Sequence, residues 1–213
     1  MSDPVYSVDG ELVPPSAATV SVRDRGFMYG DAAFETLRSY GGTPFRWADH
    51  AARLEETCET LGFGGALPAV ATLRERVGET LAANDLADAY VRLAVTRGAP
   101  PGKLSPETAV DPTVVVMVKK LPRGGTTGER VWDGPARLRT VETERIPDAA
   151  VPSAAKTHNY LNGILARLEL RGTDADEALL RAGDGSLSEG ATSNPSFVQG
   201  QTLRTPAAAH PPA

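Results

Sequence analysis

The chain has 213 residues, of which 41 % are hydrophobic, and that is enough to bury one large core or two small ones. Its net charge of -5 leaves no basic surface for nucleic acid, and its single cysteine, Cys58, excludes an intrachain disulfide. The first residues lack the charged and apolar regions of a signal peptide, and no apolar stretch approaches the length of a membrane span. We therefore expect a globular cytoplasmic protein that binds neither nucleic acid nor membrane.

The first half of the chain alternates between strand and helix patterns. Asp9 and Gly10 predict a hairpin turn, because both residue types tolerate positive φ angles. Apolar residues that recur every three or four positions predict one helix from Trp47 to Gly62 and a second after Pro68. The stretch 90–96 alternates as a half-buried strand does, and the apolar stretch 113–118 predicts a buried strand.

The polar, glycine-rich stretch 122–129 predicts a linker between a smaller domain, 1–121, and a second domain, 130–213. In the second domain we predict a strand in 136–144 and hairpins about 183–185 and 199–200. A helix is predicted from Lys156 to Gly172, with its core face formed by Leu161, Ile164, Leu165 and Leu168. Together these elements predict an α/β protein of the α+β type with two domains.

Lys156 and Glu189 indicate the chemistry of pyridoxal phosphate (PLP). Such an enzyme needs a lysine that holds the cofactor as a Schiff base and moves protons, and a carboxylate beside the ring nitrogen. The dipole of the predicted helix would lower the pKa of a lysine at its start, as a nucleophilic amine requires. The small residues after Glu189 would let the backbone approach a planar cofactor, and Thr192, Ser193 and Asn194 would offer hydroxyl and amide groups.

Each of these residues also has an ordinary structural interpretation. Lys156 could be a surface lysine, Arg53 a solvated residue on a helix face, and Tyr160 an amphipathic core residue. Glu189 could simply end a strand, although a buried carboxylate is costly and a protonated pyridine would offset that cost. His158 is interpreted as a structural residue or part of a pocket wall, and the histidines lack the spacing of metal ligands.

Five segments in order make the chain similar to the class IV aminotransferases, the fold-type-IV PLP enzymes. These segments are VRDRGFMYGDAAFETLR, RWADHAARLEE, YVRLAVTRG, KTHNYLNGILARLE and LSEGATSNPSFVQGQTLRTP. The resemblance implies that Lys156 is the Schiff-base lysine and that Glu189 faces the pyridine nitrogen. It also implies that Tyr160 is hydrogen-bonded to the cofactor 3-hydroxyl and that Arg53 clamps the phosphate.

The resemblance further implies a substrate pocket and a homodimer. Tyr29, Phe34 and Arg38 match positions that line the pocket in this family, where the tyrosine often reaches the site of a partner subunit. Thr36 is similar to the threonine of aminodeoxychorismate lyases, whereas branched-chain transaminases usually have glycine there. The stretch 99–107 lacks the arginine and histidine that enzymes specific for D-amino acids carry there. A D-amino-acid transaminase is therefore ranked third, after the lyase and the branched-chain transaminase.

Tyr90 and Arg92, in contrast, resemble the strand of branched-chain transaminases whose polar side chains face the substrate. The resemblance therefore implies a small-molecule amino substrate and one of two activities. We expect 4-amino-4-deoxychorismate lyase, which forms 4-aminobenzoate and pyruvate in folate biosynthesis, with a branched-chain transaminase that uses 2-oxoglutarate as the alternative.

The C-terminal end departs from the family pattern. Relatives continue beyond the counterpart of Thr205-Pro206 with a segment whose helix N-terminus binds the cofactor phosphate. We therefore expect an incomplete second domain and interpret the chain as a fragment. By itself it is expected to be inactive, and a non-catalytic protein of the PLP fold is the third interpretation.

Overall fold

A computed structural model describes residues 4–99, 104–105, 111–121 and 134–206. The chain divides into two compact units, Met1–Val131 with Ala155–His158, and Trp132–Ala154 with Asn159–Ala213. The short segment Ala155–His158 thus groups with the first unit, whereas the sequence pattern places it in the second domain. The predicted linker, 122–129, lies outside the described residues.

An antiparallel sheet of six strands organises the first unit, with the strand order β2-β1-β6-β5-β3-β4. Its strands are β1 (Tyr6–Val8), β2 (Glu11–Val13), β3 (Ala32–Tyr40), β4 (Thr43–Pro44), β5 (Ala89–Thr96) and β6 (Val114–Lys120). The helices are α1 (Arg25–Tyr29), α2 (Trp47–Thr60) and α3 (Val70–Ala83). The predicted hairpin joins β1 to β2, with φ of 52° at Asp9 and 94° at Gly10.

The core of the first unit lies where α2 and α3 cover one face of this sheet. Leu54 and Cys58 of α2 and Val77 of α3 are buried together with alternate residues of the strands, such as Val91 and Val116. Both predicted helices are confirmed, because their apolar stripes face this core. The predicted strand at 113–118 is half-buried rather than fully buried, since an antiparallel sheet with helices on one face leaves its other face open.

The longest strand of this sheet, β3, is missing from the sequence predictions. It pairs with β5 over eight residue pairs, from Ala32 opposite Thr96 to Ser39 opposite Ala89. Its core face reads Ala33, Glu35, Leu37, so that an acid interrupts the apolar alternation that marks a strand. This strand carries Phe34, Thr36 and Arg38, three of the six predicted pocket residues.

The second unit contains a three-stranded sheet with the order β7-β8-β9 and a separate hairpin. Its elements are β7 (Leu138–Glu144), α4 (Leu161–Leu168), β8 (Glu177–Arg181), β9 (Leu187–Gly190), β10 (Phe197–Gln199) and β11 (Thr202–Arg204). β7 is parallel to β8, and the β8–β9 and β10–β11 pairs are the two predicted hairpins. None of the helices in the described ranges is long and apolar enough to cross a membrane.

The helix predicted to begin at Lys156 is wrong in its start, its end and its buried face. It begins only at Leu161 and ends at Leu168, before Gly172. Ala166 is its buried residue, whereas the predicted core face is exposed, from 41 % at Leu168 to 65 % at Leu161. The start is late because residues 156–158 use their backbone groups for pairing with β3, so that these groups cannot form the first helical turn.

Candidate active site

Lys156 lies in an extended segment beside the first residues of β3. Phe34 N–H donates to the Lys156 carbonyl and His158 N–H donates to the Ala32 carbonyl, both at 3.0 Å. On the other side, Lys156 N–H donates to Thr57 Oγ1 of α2 at 3.1 Å. The backbone of the lysine is therefore fixed by a strand and a helix of the first unit, and its predicted position at the start of a helix is wrong.

Arg53 lies on α2, one helical turn before Thr57. Its Nε and Nη2 atoms donate to the two carboxylate oxygens of Glu35, each at 2.6 Å, while its side chain remains 46 % exposed. Thr57 Oγ1 donates to the Arg53 carbonyl at 2.8 Å and also accepts from Lys156 N–H. A single hydroxyl thus connects the turn that carries the guanidinium to the backbone that carries the amine.

The open face of the sheet carries five of the six residues that the sequence assigns to the substrate pocket. These are Phe34, Thr36 and Arg38 on β3 and Tyr90 and Arg92 on β5. Register places Arg38 opposite Tyr90, and Thr36 opposite Arg92. Directly opposed residues of an antiparallel pair share a face, so these side chains form neighbouring rows.

Phe34 is the apolar centre of this face. The Arg92 guanidinium lies 3.8 Å and the Lys156 Nζ 4.5 Å from the centroid of its ring. A cation over an aromatic ring gains electrostatic attraction from the ring face. The buried Phe34 ring therefore brings the candidate catalytic amine and an arginine of the substrate face to one place.

Tyr29 is the sixth predicted pocket residue, and it lies apart from the sheet face, on α1. Its ring is 39 % exposed and packs beside the Arg25 guanidinium, 5.3 Å from the ring centroid. Arg25 in turn donates to Asp31 at 2.7 Å. The contacts described for Tyr29 thus anchor it within α1, and its predicted role in a partner subunit stays a prediction.

His158 packs against Phe34, with the ring centroids 5.4 Å apart. Burial lowers its pKa to about 4, and the positive charge of Arg92 acts in the same direction. Within the described residues, its buried Nε2 atom has no hydrogen-bond partner. A neutral ring beside Phe34 matches the wall residue that the sequence indicates, rather than a base.

Acidification is expected to weaken the fold through His158. Its pKa is lower when folded than when unfolded, so the unfolded chain binds the proton first and the free energy of unfolding falls as pH drops from about 6.5 toward 4. The loss can reach about 3 kcal/mol. Denaturant titrations at pH 7 and pH 5 should show a smaller loss in His158→Gln than in the parent, and equal losses would contradict this account.

Glu189 lies on β9 of the second unit and is paired with an arginine that the sequence predictions omit. Its Oε1 atom accepts from Arg145 Nε at 3.1 Å, and its side chain is 43 % exposed. Arg145 also donates to Asp148 Oδ1 at 2.7 Å, and hydrogen bonds from Arg145 and Ser153 lower the pKa of Asp148 to about 2. Glu189 is therefore a guanidinium-oriented carboxylate rather than an isolated buried one.

The other predicted cofactor residues of the second unit lie at element ends. Tyr160 immediately precedes α4, and its carbonyl accepts from Ile164 N–H at 3.0 Å. After β9 the chain turns sharply, because Gly190 N–H donates to the Ser193 carbonyl at 2.6 Å. A Cβ at Gly190 would lie 2.2 Å from Ser193 Oγ and 3.1 Å from the Ser193 carbonyl oxygen, so a larger residue here would displace Ser193. The predicted donors Thr192, Ser193 and Asn194 are exposed.

The first unit thus carries a primary amine at Lys156, a guanidinium at Arg53 and a sheet face with several cationic side chains. Residues 32–211 match the family described as amino-transferase class IV. The chain therefore belongs to the class IV aminotransferases, as its sequence motifs predict.

Similar proteins include both branched-chain aminotransferases and a lyase. The putative branched-chain-amino-acid aminotransferase of Methanocaldococcus jannaschii is 36 % identical over 93 % of this chain and 67 % of its own length. The T.th. branched-chain amino acid aminotransferase with pyridoxamine 5'-phosphate has a TM-score of 0.81 at 28 % identity, over 95 % of this chain and 67 % of its own.

The 4-amino-4-deoxychorismate lyase of Pseudomonas aeruginosa has a TM-score of 0.73 at 34 % identity, over 93 % of this chain and 68 % of its own. These likenesses confirm the fold-type-IV architecture predicted from the motifs. The chain spans about two thirds of the length of these relatives.

The family match, together with the complex of the relative, supports pyridoxal phosphate as the cofactor. The donor set of the first unit fits this group, because a primary amine reacts with a carbonyl carbon and a guanidinium binds phosphate. Lys156 and Arg53 supply these two groups within one unit, connected through Thr57.

Proposed function

We propose that the full-length protein is a PLP-dependent 4-amino-4-deoxychorismate lyase. The observation that supports this proposal is the cationic character of the substrate face. Arg38, Arg92 and Lys119 lie in two adjacent rows of the sheet, since Lys119 of β6 is opposite Tyr90 and Nζ lies 4.5 Å from the centroid of its ring. Aminodeoxychorismate carries two carboxylates, and such a face suits it.

The composition of the neighbouring rows also favours a polar substrate. One row reads Arg38, Tyr90 and Lys119, and the next reads Thr36, Arg92 and Met117. Apart from Met117, the side chains of these two rows are cationic or polar. A branched-chain amino acid has an apolar side chain, which gains most from an apolar pocket.

In the proposed reaction, Lys156 has two tasks. The bound cofactor supplies an electron sink for the substrate amine. The Lys156 amine takes the proton from the ring carbon that bears the substrate amine, and it delivers this proton to the methylene carbon of the enolpyruvyl group. The bond between the ether oxygen and the ring breaks, its electron pair stays on the oxygen that becomes the keto oxygen of pyruvate, and the ring becomes aromatic. The hydrogen bonds to Phe34 and Thr57 hold the lysine backbone still while its side chain carries the proton.

The remaining residues bind and orient in this proposal. Arg53 would hold the cofactor phosphate, and Glu189, oriented by Arg145, would hold the protonated ring nitrogen. Tyr160 would donate to the cofactor hydroxyl, as the family resemblance implies. Arg38 and Arg92 would bind the substrate carboxylates.

A branched-chain transaminase that uses 2-oxoglutarate is the second candidate. The 36 % identity to the putative enzyme of Methanocaldococcus jannaschii favours it, together with Tyr90 and Arg92. The two candidates use the same lysine and cofactor. They differ in the substrate and in the bond that is broken.

Two assays of the full-length protein decide between the candidates. We expect release of 4-aminobenzoate and pyruvate from aminodeoxychorismate, and turnover with leucine and 2-oxoglutarate at least about a hundredfold slower. Glutamate formation without 4-aminobenzoate would overturn the lyase proposal in favour of the transaminase. Arg92→Leu should raise KM for aminodeoxychorismate, because it removes a carboxylate contact.

We also propose that the protein is a homodimer. Val22, Phe27 and Met28, in and before α1, are between 51 % and 74 % exposed, which is unusual for apolar side chains so close in sequence. A second subunit that covers them would place Tyr29 at the interface. Sedimentation of the full-length protein should give a dimer mass, and a monomer at micromolar concentration would contradict the proposal.

A further inference from the structure

We infer that Glu35 is a positioning residue that orients Arg53 for the cofactor phosphate. The inference rests on the proposed role of Arg53 and adds a residue that neither the motifs nor the family resemblance assign to the site. It follows from the burial of Glu35, from its place in the sheet and from its three short polar contacts.

Glu35 is a carboxylate on the apolar face of the sheet. Its side chain is 1 % exposed, and it lies directly opposite Leu93 of β5 between the core residues Ala33 and Leu37. A carboxylate in such a place is costly unless charged or polar partners satisfy it. A position of this kind in a strand would ordinarily hold an apolar residue.

The partners of Glu35 come from one face of α2. Arg53 donates to both carboxylate oxygens through Nε and Nη2, and His50 Nδ1 lies 2.7 Å from Oε2. Residues three positions apart lie on the same face of a helix, so His50 and Arg53 reach the carboxylate together. A pair of parallel bonds fixes the plane of a guanidinium as well as its position.

The arrangement leaves Arg53 held on one edge and still accessible. Glu35 takes the edge formed by Nε and Nη2, while nearly half of the Arg53 side chain remains in contact with solvent. An arginine that is fixed in this way loses less side-chain entropy when it binds an anion. The same turn of α2 carries Thr57, which contacts the backbone of Lys156.

A gain in stability alone would not explain why a carboxylate occupies this core position. Replacing a buried ion pair by apolar residues is often neutral or stabilising, because desolvation offsets the attraction. The positioning role predicts something that a structural role does not. Loss of Glu35 should weaken the binding of the phosphate group selectively.

The test compares cofactor binding with and without the phosphate in the full-length apoprotein. Spectroscopic titration would give Kd for pyridoxal 5'-phosphate and for pyridoxal. In Glu35→Gln we expect Kd for the phosphorylated form to rise at least about tenfold, because the amide presents a donor to the Arg53 donors, while Kd for pyridoxal changes by less than about twofold. An equal rise in both constants, or no rise in either, would overturn the inference.

Two further variants separate a loss of positioning from a general loss of folding. Glu35→Asp retains the charge on a shorter side chain and should restore part of the selectivity, even if Glu35→Gln folds poorly. Asp31→Asn is the matched control, since Asp31 is another largely buried carboxylate of this unit that pairs with two arginines, Arg25 and Arg97, at 2.7 Å. It should lower stability and leave the ratio of the two constants unchanged.

Arg53→Gln separates this inference from the proposed function. If Arg53→Gln leaves the ratio of the two constants unchanged, the proposed phosphate role of Arg53 is wrong, and the inference falls with it. If Arg53→Gln abolishes the selectivity for the phosphorylated form and both Glu35 variants retain it, Arg53 binds the phosphate without help from Glu35, and the inference alone is wrong.

Discussion

Replacing Lys156 by alanine is expected to lower turnover by the full-length protein at least about a thousandfold, because the variant loses both the amine that holds the cofactor and the group that moves the proton. Borohydride reduction of the parent protein with its cofactor, followed by peptide mapping, should find a phosphopyridoxyl group on Lys156. The variant should show no such group under the same conditions.

Lys120→Ala is the matched control for this prediction. Lys120 ends β6 with an exposed side chain, so its replacement removes a lysine without touching the sheet face or the segment at β3. It should retain labelling and turnover. A phosphopyridoxyl group on Lys119 or Lys120 in the parent would show that the catalytic lysine is misassigned.

Replacing Glu189 by glutamine is expected to retain the phosphopyridoxyl label and to lower turnover about a hundredfold. A neutral amide cannot stabilise a protonated pyridine as a carboxylate does, so the ring becomes a weaker electron sink. The variant also weakens the contact with Arg145, which approaches at 3.1 Å. Absorbance spectra with cofactor would separate loss of binding from loss of turnover.

Asp148→Asn provides the comparison for Glu189. It disturbs the same arginine without removing the proposed ring contact, and the lowered pKa of Asp148 predicts a loss of about 1 kcal/mol of stability at neutral pH after solvent screening. Turnover should fall much less than in Glu189→Gln. Equal losses in both variants would mean that Glu189 serves only to hold Arg145.

The sequence predicted those elements whose local residue pattern matches their packing in the fold. α2 and α3 follow their apolar stripes, and the hairpin at Asp9-Gly10 follows from residues that tolerate positive φ. The motifs also selected five residues that the structure gathers on one sheet face. These predictions needed no knowledge of distant contacts.

Distant contacts account for what the sequence left out. The pattern after Lys156 is helical, yet residues 156–158 pair with β3, so the helix begins at Leu161. Glu35 interrupts the apolar alternation of β3 because its partners lie on α2. The pairing of Arg145 with Glu189 joins residues 44 positions apart, and no local spacing indicates it.

The placement of Lys156 along β3 has a consequence for the order of assembly. The lysine backbone and Thr57 are 99 positions apart, and its partners on β3 lie earlier still in the chain. Contacts that close so long a loop are costly in entropy and form slowly, after the local hairpins and helices. The segment also covers backbone groups at the start of β3 that an unpaired strand edge would expose. The Lys156 side chain is thus expected to reach its native position only after β3 has paired with residues 156–158. Hydrogen exchange at the amides of Phe34 and His158, which form the two hydrogen bonds of this pairing, would show when it forms during folding.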